Sequence, residues 1–182
     1  MDRPVRKAIR LKQYDYSQNA AYFITVCTKN RQPLFWKSTM PRAEGNREMH
    51  PNSASGAWTR IPASLSETGE IVFCAIENIP SCYPFIDLEK YVIMPDHIHL
   101  LLRFDAPAET EGRRKEENGG RLIAAPTLQT VVGQLKRWAS QKAGEPIWQK
   151  SFYEHVIRSQ GDYREAWSYI DGNPGKYAEK RE

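Results

Sequence analysis

The sequence lacks any apolar run approaching the roughly 20 residues that a membrane-spanning helix needs. Its first residues also lack the apolar core of a signal peptide. Cysteine is scarce: Cys27, Cys74 and Cys82 are an odd number without Cys-x-x-Cys spacing, which argues against a zinc ribbon and against a disulfide framework. We therefore expect reduced thiols and a cytoplasmic protein.

The sequence has no large excess of charge of either sign, since its net charge is only +4. The basic residues are clustered, however, at 3–12, at 113–115, at Arg121 and at Lys136 and Arg137. Such clusters suit a phosphate backbone, although a mildly basic total is also common in proteins that bind no anion. A length of 182 residues with 40% hydrophobic residues predicts a single domain with one core.

Histidine is also scarce, with four residues in the chain. Two of them, His97 and His99, flank Ile98 inside an apolar, strand-like run. Because alternate side chains of a strand share a face, the two imidazoles lie on one face, about 7 Å apart at Cα. Two imidazoles on one face can bind one metal ion. The alternative is that the pair lines a polar sheet face with its nitrogens satisfied by neighbours.

Hydrophobic periodicity and turn residues predict an alternating series of strands and helices. Strands are predicted at 20–28, 85–94, 97–104 and 148–158, and helices at 66–79, 127–142 and 161–173. Pro80 is predicted to end the first helix, Asn173-Pro174 the last one, and Pro95-Asp96 is predicted to form a tight turn. The segments at about 38–62 and 105–120 are predicted to be loop insertions.

This order predicts an α+β, ferredoxin-like (split βαβ) antiparallel sheet. Two crossover helices should cover the face that carries Ile98, Leu100 and Leu102. The histidines then lie on the opposite face, where the extra C-terminal helix is able to lie across them.

The His-hydrophobe-His motif after a Met-Pro-x turn resembles that of the HUH single-tyrosine transposases (the IS200-like transposase domain). The resemblance is strongest to the REP-associated branch. It also covers three blocks, at 65–72, 120–126 and 147–155, and it ends in 169–174. Three separated blocks in the right order are far more specific than the histidines alone. The whole chain, 1–182, is accordingly expected to be one HUH-type domain.

The resemblance implies a nucleophile, a metal site and a DNA partner. Tyr169 matches the tyrosine that attacks a scissile DNA phosphate, leaving a 5′-phosphotyrosine and a 3′-hydroxyl. His97, His99 and Asn173 match the ligands of one Mg²⁺ or Mn²⁺ ion, with Asn where classical members carry Gln. Single-stranded hairpin DNA is the implied partner, and the family includes both homodimers and monomers. The residues expected to bind DNA are Lys136, Arg137 and Arg121.

Some positions depart from the family pattern or have simpler explanations. Asp96 replaces the usual Asn, and its added negative charge is able either to raise metal affinity or to repel DNA phosphate. Glu154 and His155 match a family block, but we expect them to be structural. A tyrosine in a terminal helix is ordinarily a core aromatic, and Asn173 before proline is a common helix stop signal.

Two other functions remain open from the sequence. A ferredoxin-like sheet with basic and aromatic surfaces resembles an RRM, a non-catalytic module that binds single-stranded nucleic acid by stacking. The sequence contains no RNP-type block, which weakens this alternative. The other is a metal-dependent hydrolase that uses His97, His99 and a carboxylate, in which Tyr169 has no role.

Overall fold

The computed structural model describes residues 19–37, 58–59, 65–105 and 126–179. Within these residues one mixed sheet forms the centre of the molecule, with strand order β2-β3-β4-β1-β5. Its strands are β1 (Ala20–Cys27), β2 (Trp58–Thr59), β3 (Ile86–Met94), β4 (His97–Phe104) and β5 (Tyr153–Ile157). All pairings are antiparallel except that of the short β2 with β3. β1 is central, as its uninterrupted β-branched and aromatic run predicts.

The helices are α1 (Glu67–Glu77), α2 (Ile79–Cys82), α3 (Leu128–Ala143) and α4 (Gln160–Glu179). One core, shared by α1, α3 and the sheet, contains Ile98, Leu100 and Leu102. A second and smaller core packs α4 on the other sheet face through Ala166 and Ile170. The predicted ferredoxin-like fold, with two helices on one face and an additional C-terminal helix on the other, is therefore confirmed.

The turn between β3 and β4 is fixed from outside as well as by its own sequence. Met94 pairs with His97, so Pro95 and Asp96 alone connect the two strands. The carbonyl of Asp96 accepts hydrogen bonds from the backbone N–H and the side-chain hydroxyl of Thr28, at 2.9 and 3.0 Å. The carbonyl of Pro95 accepts one from the N–H of Phe35 at 3.0 Å. The chain after β1 therefore holds the turn, and with it the start of the histidine strand.

Helix α1 ends before the position that the sequence predicts. The expected stop was Pro80, but the helix ends at Glu77, and Pro80 lies inside the short helix α2. The amide of Asn78 donates to the carbonyl of Cys74 at 2.9 Å, which satisfies an acceptor at the helix end. Pro80 is tolerated because the first turn of a helix does not need its missing N–H.

Helix α4 continues past Asn173 and Pro174, so the predicted stop at this pair is wrong. A proline inside a helix removes one backbone hydrogen bond and costs about 3 kcal/mol. The residues beyond it make compensating contacts: the ring of Tyr177 packs edge-on against Trp36, with centroids 5.5 Å apart. Tertiary packing therefore overrides the local stop signal.

The predicted strand at 148–158 is shorter in the structure, where Trp148 forms only an isolated bridge with Thr28. Within the predicted loop at 38–62, residues 58–59 form β2 beside Lys90 and Tyr91. The rest of that segment beyond residue 37, and 106–120 of the other, lie outside the described residues. None of the described helices combines the length and the apolar character that a membrane span requires.

Candidate active site

His97 and His99 project from β4 toward the face that α4 covers, as the strand alternation predicts. Their rings meet edge to face, and their Nε2 atoms lie 3.1 Å apart. His99 is buried, and the side chain of His97 is mostly so. Two ring nitrogens at this distance share either one proton or one cation.

The other nitrogen of each ring is held by a neighbouring side chain. Nδ1 of His97 donates to Oδ1 of Asp96 at 2.6 Å. Nδ1 of His99 shares a hydrogen bond with Oγ1 of Thr25, which pairs with it from β1, at 2.8 Å. With Nδ1 protonated, the lone pair of an imidazole lies on Nε2, the atom that faces the other ring. Such outer contacts fix the tautomer and the orientation of metal-binding histidines.

Burial keeps both imidazoles neutral near pH 7. It lowers the pKa of His97, although the hydrogen bond from its Nδ1 to Asp96 acts in the opposite direction. Burial first, and the neighbouring His97 second, lower the pKa of His99 to about 3. A neutral imidazole is the form that binds a metal ion, so at this pH protons do not compete for the site.

Asp96 is shared between the histidine and an arginine. While Oδ1 accepts from His97, Oδ2 lies 3.3 Å from a guanidinium nitrogen of Arg31. Arg31 and its neighbour Asn30 both have left-handed backbone, with φ of 57° and 56°. L-residues rarely adopt this conformation, and it costs on the order of 1 kcal/mol for each residue. The surrounding structure therefore holds Arg31 beside Asp96 and the histidines.

The donor set fits a divalent cation. The two Nε2 atoms, 3.1 Å apart, are close enough that both imidazoles would be able to bind one ion. Among the described residues, no group of three His, Cys, Asp or Glu side chains is arranged to hold a metal. A third protein ligand from this region must therefore be of another type. Asn173 has a suitable amide, and its Nδ2 atom is buried without a hydrogen-bond partner.

Tyr169 stands directly beside the histidine pair. Its ring meets the ring of His99 with centroids 5.1 Å apart and a steep interplanar angle of 77°. Phe23 supports both rings, since it stacks on His99 at 5.1 Å and meets Tyr169 edge-on at 5.7 Å. Tyr169 is nevertheless 46% exposed, so it is not the ordinary core aromatic that a terminal helix suggests. Asn173 follows one helical turn later on the same side of α4.

Helix α4 is held on the sheet by a buried cation. The ammonium of Lys90 on β3 lies 2.7 Å from Oδ1 of Asp171, and 4.0 Å from the ring centroid of Trp167. Lys90 is only 4% exposed. Together with buried Ala166 and Ile170, this ion pair fixes the helix on both sides of Tyr169.

The residues predicted to bind DNA lie away from the histidine pair, on the other side of the sheet, or outside the described residues. Lys136 is on α3, which packs against the opposite sheet face, and its ammonium donates to the carbonyls of Gln149 and Lys150 at 2.6 and 3.2 Å. Burial lowers the pKa of Lys136. Arg137 is exposed on the same helix, and Arg121 lies outside the described residues.

Several residues of the site were not found from the sequence. Three of them belong to β1 and the turn after it: Phe23, Thr25 and Arg31. Only the register of β1 against β4 brings them close to the histidines. Alternation along β1 puts Phe23 and Thr25 on one face, and that was the available signal. No sequence signal pointed to Lys90, because a lone lysine in a strand is usually a solvated edge residue.

Comparison with known proteins supports the fold. No protein-family model matches the chain. An uncharacterised protein from Haemophilus influenzae is 28% identical over 178 residues, which are 93% of this chain and 88% of that protein. The solved structure of a REP-associated tyrosine transposase bound to a REP hairpin superposes with a TM-score of 0.53 at 18% identity, over 92% of this chain and 74% of that one.

A further solved structure, of a Deinococcus radiodurans protein, has 15% identity and a TM-score of 0.42, over 90% of this chain and 95% of that one. That score is too low to add to the argument. The chain accordingly has the fold of the REP-associated tyrosine transposases, as the sequence resemblance implies.

Proposed function

We propose that this chain is a DNA strand-transferase of the HUH single-tyrosine class, which nicks and rejoins single-stranded, hairpin-bearing DNA in transposition. The observation that carries the proposal is the contact between Tyr169 and His99, whose ring centroids are 5.1 Å apart. An exposed phenol therefore stands beside two neutral imidazoles whose Nε2 atoms face each other. A nucleophile, a cation site and an open approach for substrate are the parts that such a reaction needs.

In the proposed reaction, Oη of Tyr169 attacks the phosphorus of the scissile phosphodiester. A bond forms between Oη and phosphorus, and the bond from phosphorus to the 3′ oxygen breaks. The phenol gives its proton to solvent and the departing oxygen takes one up, which leaves a 5′-phosphotyrosine and a 3′-hydroxyl. Because the tyrosyl ester retains the energy of the broken bond, attack by a 3′-hydroxyl rejoins a strand without a nucleotide cofactor.

His97, His99 and Asn173 are the residues that would hold Mg²⁺ or Mn²⁺. When bound, such an ion polarises the scissile phosphate and stabilises the charge that develops on its oxygens. Asp96 and Thr25 act through the histidines, because each fixes a ring by its Nδ1 atom and leaves Nε2 toward the ligand. They are positioning residues.

The two alternative functions are less well supported by the described residues. An RRM stacks bases on the open face of its sheet, but here α4 packs on that face through Ala166 and Ile170. A hydrolase with two histidines and a carboxylate needs an acidic side chain as its third metal ligand. Among the described residues no third His, Cys, Asp or Glu is placed to complete such a site, and Asp96 contacts Nδ1 of His97, the nitrogen that points away from His99.

Hairpin DNA is proposed as the substrate because the transposase of the same fold is bound to a REP hairpin. The net charge of +4 suits a nucleic acid partner. Arg121, Lys136 and Arg137 remain the proposed DNA contacts.

The test is a search for a covalent protein–DNA adduct. Fluorescent hairpin oligonucleotides with randomised single-stranded flanks are incubated with the protein and Mn²⁺. Adducts are then resolved on a denaturing gel, and the modified residue is located by mass spectrometry. We expect Tyr169→Phe to abolish the adduct and to leave hairpin binding within about threefold, because it removes one oxygen and almost no surface.

Tyr163→Phe is the matched control, since it makes the same chemical change on the same helix. Burial, and then the nearby Glu89, raise the pKa of Tyr163 to about 12, which makes it a poor nucleophile. This variant should form the adduct normally. An adduct that persists in Tyr169→Phe, or one that maps to Tyr163, contradicts the proposed function.

A further inference from the structure

A recess of about 330 Å³ opens beside Tyr169, between α4 and the edge strand β5. It is lined by Phe23, Tyr153, His155, Asp162, Glu165 and Tyr169 itself. The volume is at the lower end of the range of small-molecule sites, and is enough for one nucleobase.

The recess is continuous with the candidate active site. Thr25 pairs with His99 on one side and with Tyr153 on the other, so these three residues form one row across the sheet. Tyr153 is therefore two strands from His99, about 10 Å at Cα. Phe23 lies between the two sites, since it stacks on His99 and also lines the recess. A nucleotide next to a scissile phosphate at Tyr169 is within reach of this recess.

The walls of the recess suit an unstacked base. Tyr153 is 55% exposed and His155 is also exposed, although both belong to a strand. Aromatic rings that face solvent next to a single-stranded substrate are the surfaces on which splayed bases stack. Such stacking tolerates every base, so it gives affinity without choosing among them.

Besides two tyrosine hydroxyls and the imidazole of His155, the recess has two carboxylates, those of Asp162 and Glu165. One carboxylate oxygen of Asp162 already accepts the backbone N–H of Arg158 at 3.0 Å. Glu165 is exposed and has no hydrogen-bond partner among the described residues. It lies four residues before Tyr169, and therefore on the same side of α4. Two carboxylates repel a phosphate and accept hydrogen bonds, so in a single-stranded DNA ligand they favour the donor-bearing edge of a base over the backbone.

A carboxylate accepts two hydrogen bonds side by side. On its Watson–Crick edge, guanine presents two adjacent donors, N1–H and N2–H₂. Adenine and cytosine each place a ring nitrogen acceptor beside their single amino group, and thymine has one donor between two carbonyls. Only guanine therefore satisfies both carboxylate oxygens.

We propose that this recess binds the base of an unstacked guanine nucleotide next to the scissile phosphate, with Glu165 as its acceptor. The proposal rests on the proposed function, because it takes single-stranded DNA as the ligand. It makes Glu165 a specificity-determining residue, while Tyr153 and His155 supply stacking.

The test measures binding without cleavage. Fluorescent undecathymidylate and three derivatives with one central dG, dA or dC are titrated with the protein in the presence of a chelator, and fluorescence anisotropy is recorded. We expect the dG probe to bind about tenfold more tightly than the others, as one bidentate base contact provides. Glu165→Gln should remove this preference, because the amide replaces one acceptor by a donor. Tyr153→Ala should weaken the binding of all four probes.

Glu70→Gln is the matched control, since Glu70 is exposed on α1, across the sheet, and the change in charge is the same. It should keep the preference for dG. Equal binding of the four probes by the wild type, or a dG preference that survives Glu165→Gln, overturns the inference. Adduct formation at Tyr169 by Glu165→Gln then still supports the proposed function. If the dG preference depends on Glu165 but Tyr169→Phe still forms the adduct, the guanine site is supported. The assignment of Tyr169 as the nucleophile is then contradicted.

Discussion

Nδ1 of His97 lies 2.6 Å from the carboxylate of Asp96, whose second oxygen contacts Arg31 at 3.3 Å. Asp96 stands where the HUH transposases that the sequence resembles usually carry Asn, and this relationship shows where the added charge lies. The negative charge does not face the space between the two Nε2 atoms. It is paired with Arg31, and it acts on the proposed metal site only through the ring of His97.

The first prediction concerns the two ways of removing that charge. Asp96→Asn keeps an oxygen that accepts from Nδ1, so the affinity for Mn²⁺ should fall only a few fold. Asp96→Ala removes the acceptor and should lower the affinity by about 10- to 100-fold, as outer-contact mutations at metal sites do. Calorimetric titration with Mn²⁺ measures both. The control is Asp105→Ala, which breaks an ion pair with Arg103 at the opposite end of the β3–β4 hairpin. It should leave the affinity for Mn²⁺ unchanged. An Asp96→Ala variant with wild-type affinity would refute the positioning role.

The second prediction follows from the pKa of His99, which is about 3 in the folded protein against 6.5 ordinarily. Above pH 6.5 the residue is neutral in both states and adds no pH dependence. Below it, only the unfolded state takes up the proton, so the free energy of unfolding should fall by about 1.4 kcal/mol per pH unit from this residue. Urea unfolding with a chelator, between pH 7 and pH 4, measures the slope.

His99→Gln is the comparison, because it removes this proton and leaves the carboxylates unchanged. The slope of its free energy of unfolding against pH should be smaller than that of the wild type, by the contribution of roughly one bound proton. Identical slopes would mean that His99 is protonated in the folded protein and that burial does not keep it neutral.

The third prediction concerns the ion pair under α4. Asp171→Asn leaves the ammonium of Lys90 buried without its charged partner. We expect a loss of about 1–2 kcal/mol in the free energy of unfolding, less than for a fully buried pair because Asp171 is half exposed. Lys90→Met removes the buried charge and keeps an apolar side chain of similar length, so it should cost less. A double-mutant cycle by urea unfolding gives the coupling, and a coupling of zero would show that the pair does not anchor the helix.

The fourth prediction separates two neighbouring basic residues on α3. Lys136 donates to the carbonyls of Gln149 and Lys150, so Lys136→Gln should lower the melting temperature. Arg137 is exposed, and Arg137→Gln should leave the melting temperature unchanged. If α3 borders the DNA, Arg137→Gln should reduce the salt dependence of hairpin binding by about one phosphate contact. An unchanged dependence would place the DNA elsewhere.

The sequence predicts those features that depend on local periodicity. Alternation along β4 separates His97 and His99 from Ile98, Leu100 and Leu102, and the two cores confirm that separation. The element order then suffices for the fold class, because few topologies accommodate it.

Features that depend on contacts between distant segments were not predictable in this way. Arg31 reaches Asp96 across 65 residues of sequence, and only the pairing of β1 with β4 makes them neighbours. Helix α4 continues beyond the proline, where Tyr177 packs on Trp36, a residue far from it in the sequence. Propensity favours a stop at Pro174, but it carries no information about that remote surface.

The last prediction concerns Asn173, for which the sequence allows both a helix stop and a metal ligand. The structure removes the first role, since α4 continues to Glu179. The Nδ2 atom of Asn173 is buried without a hydrogen-bond partner, and an unsatisfied buried donor destabilises the folded protein. Rotation of the amide by 180° exchanges its nitrogen and oxygen, and so offers an oxygen in the same place.

Asn173→Ala removes the unsatisfied amide and introduces a better helix former, so the metal-free melting temperature should stay the same or rise. Its affinity for Mn²⁺ should fall, as should its yield of adduct. Asn173→Gln and Asn173→Asp retain an oxygen ligand and should keep part of both. Calorimetry, thermal unfolding with a chelator and the adduct assay give the three measurements on the same proteins. If Asn173→Ala binds Mn²⁺ and forms the adduct like the wild type, the two histidines and the DNA phosphate suffice as ligands, and Asn173 is only a residue of the helix.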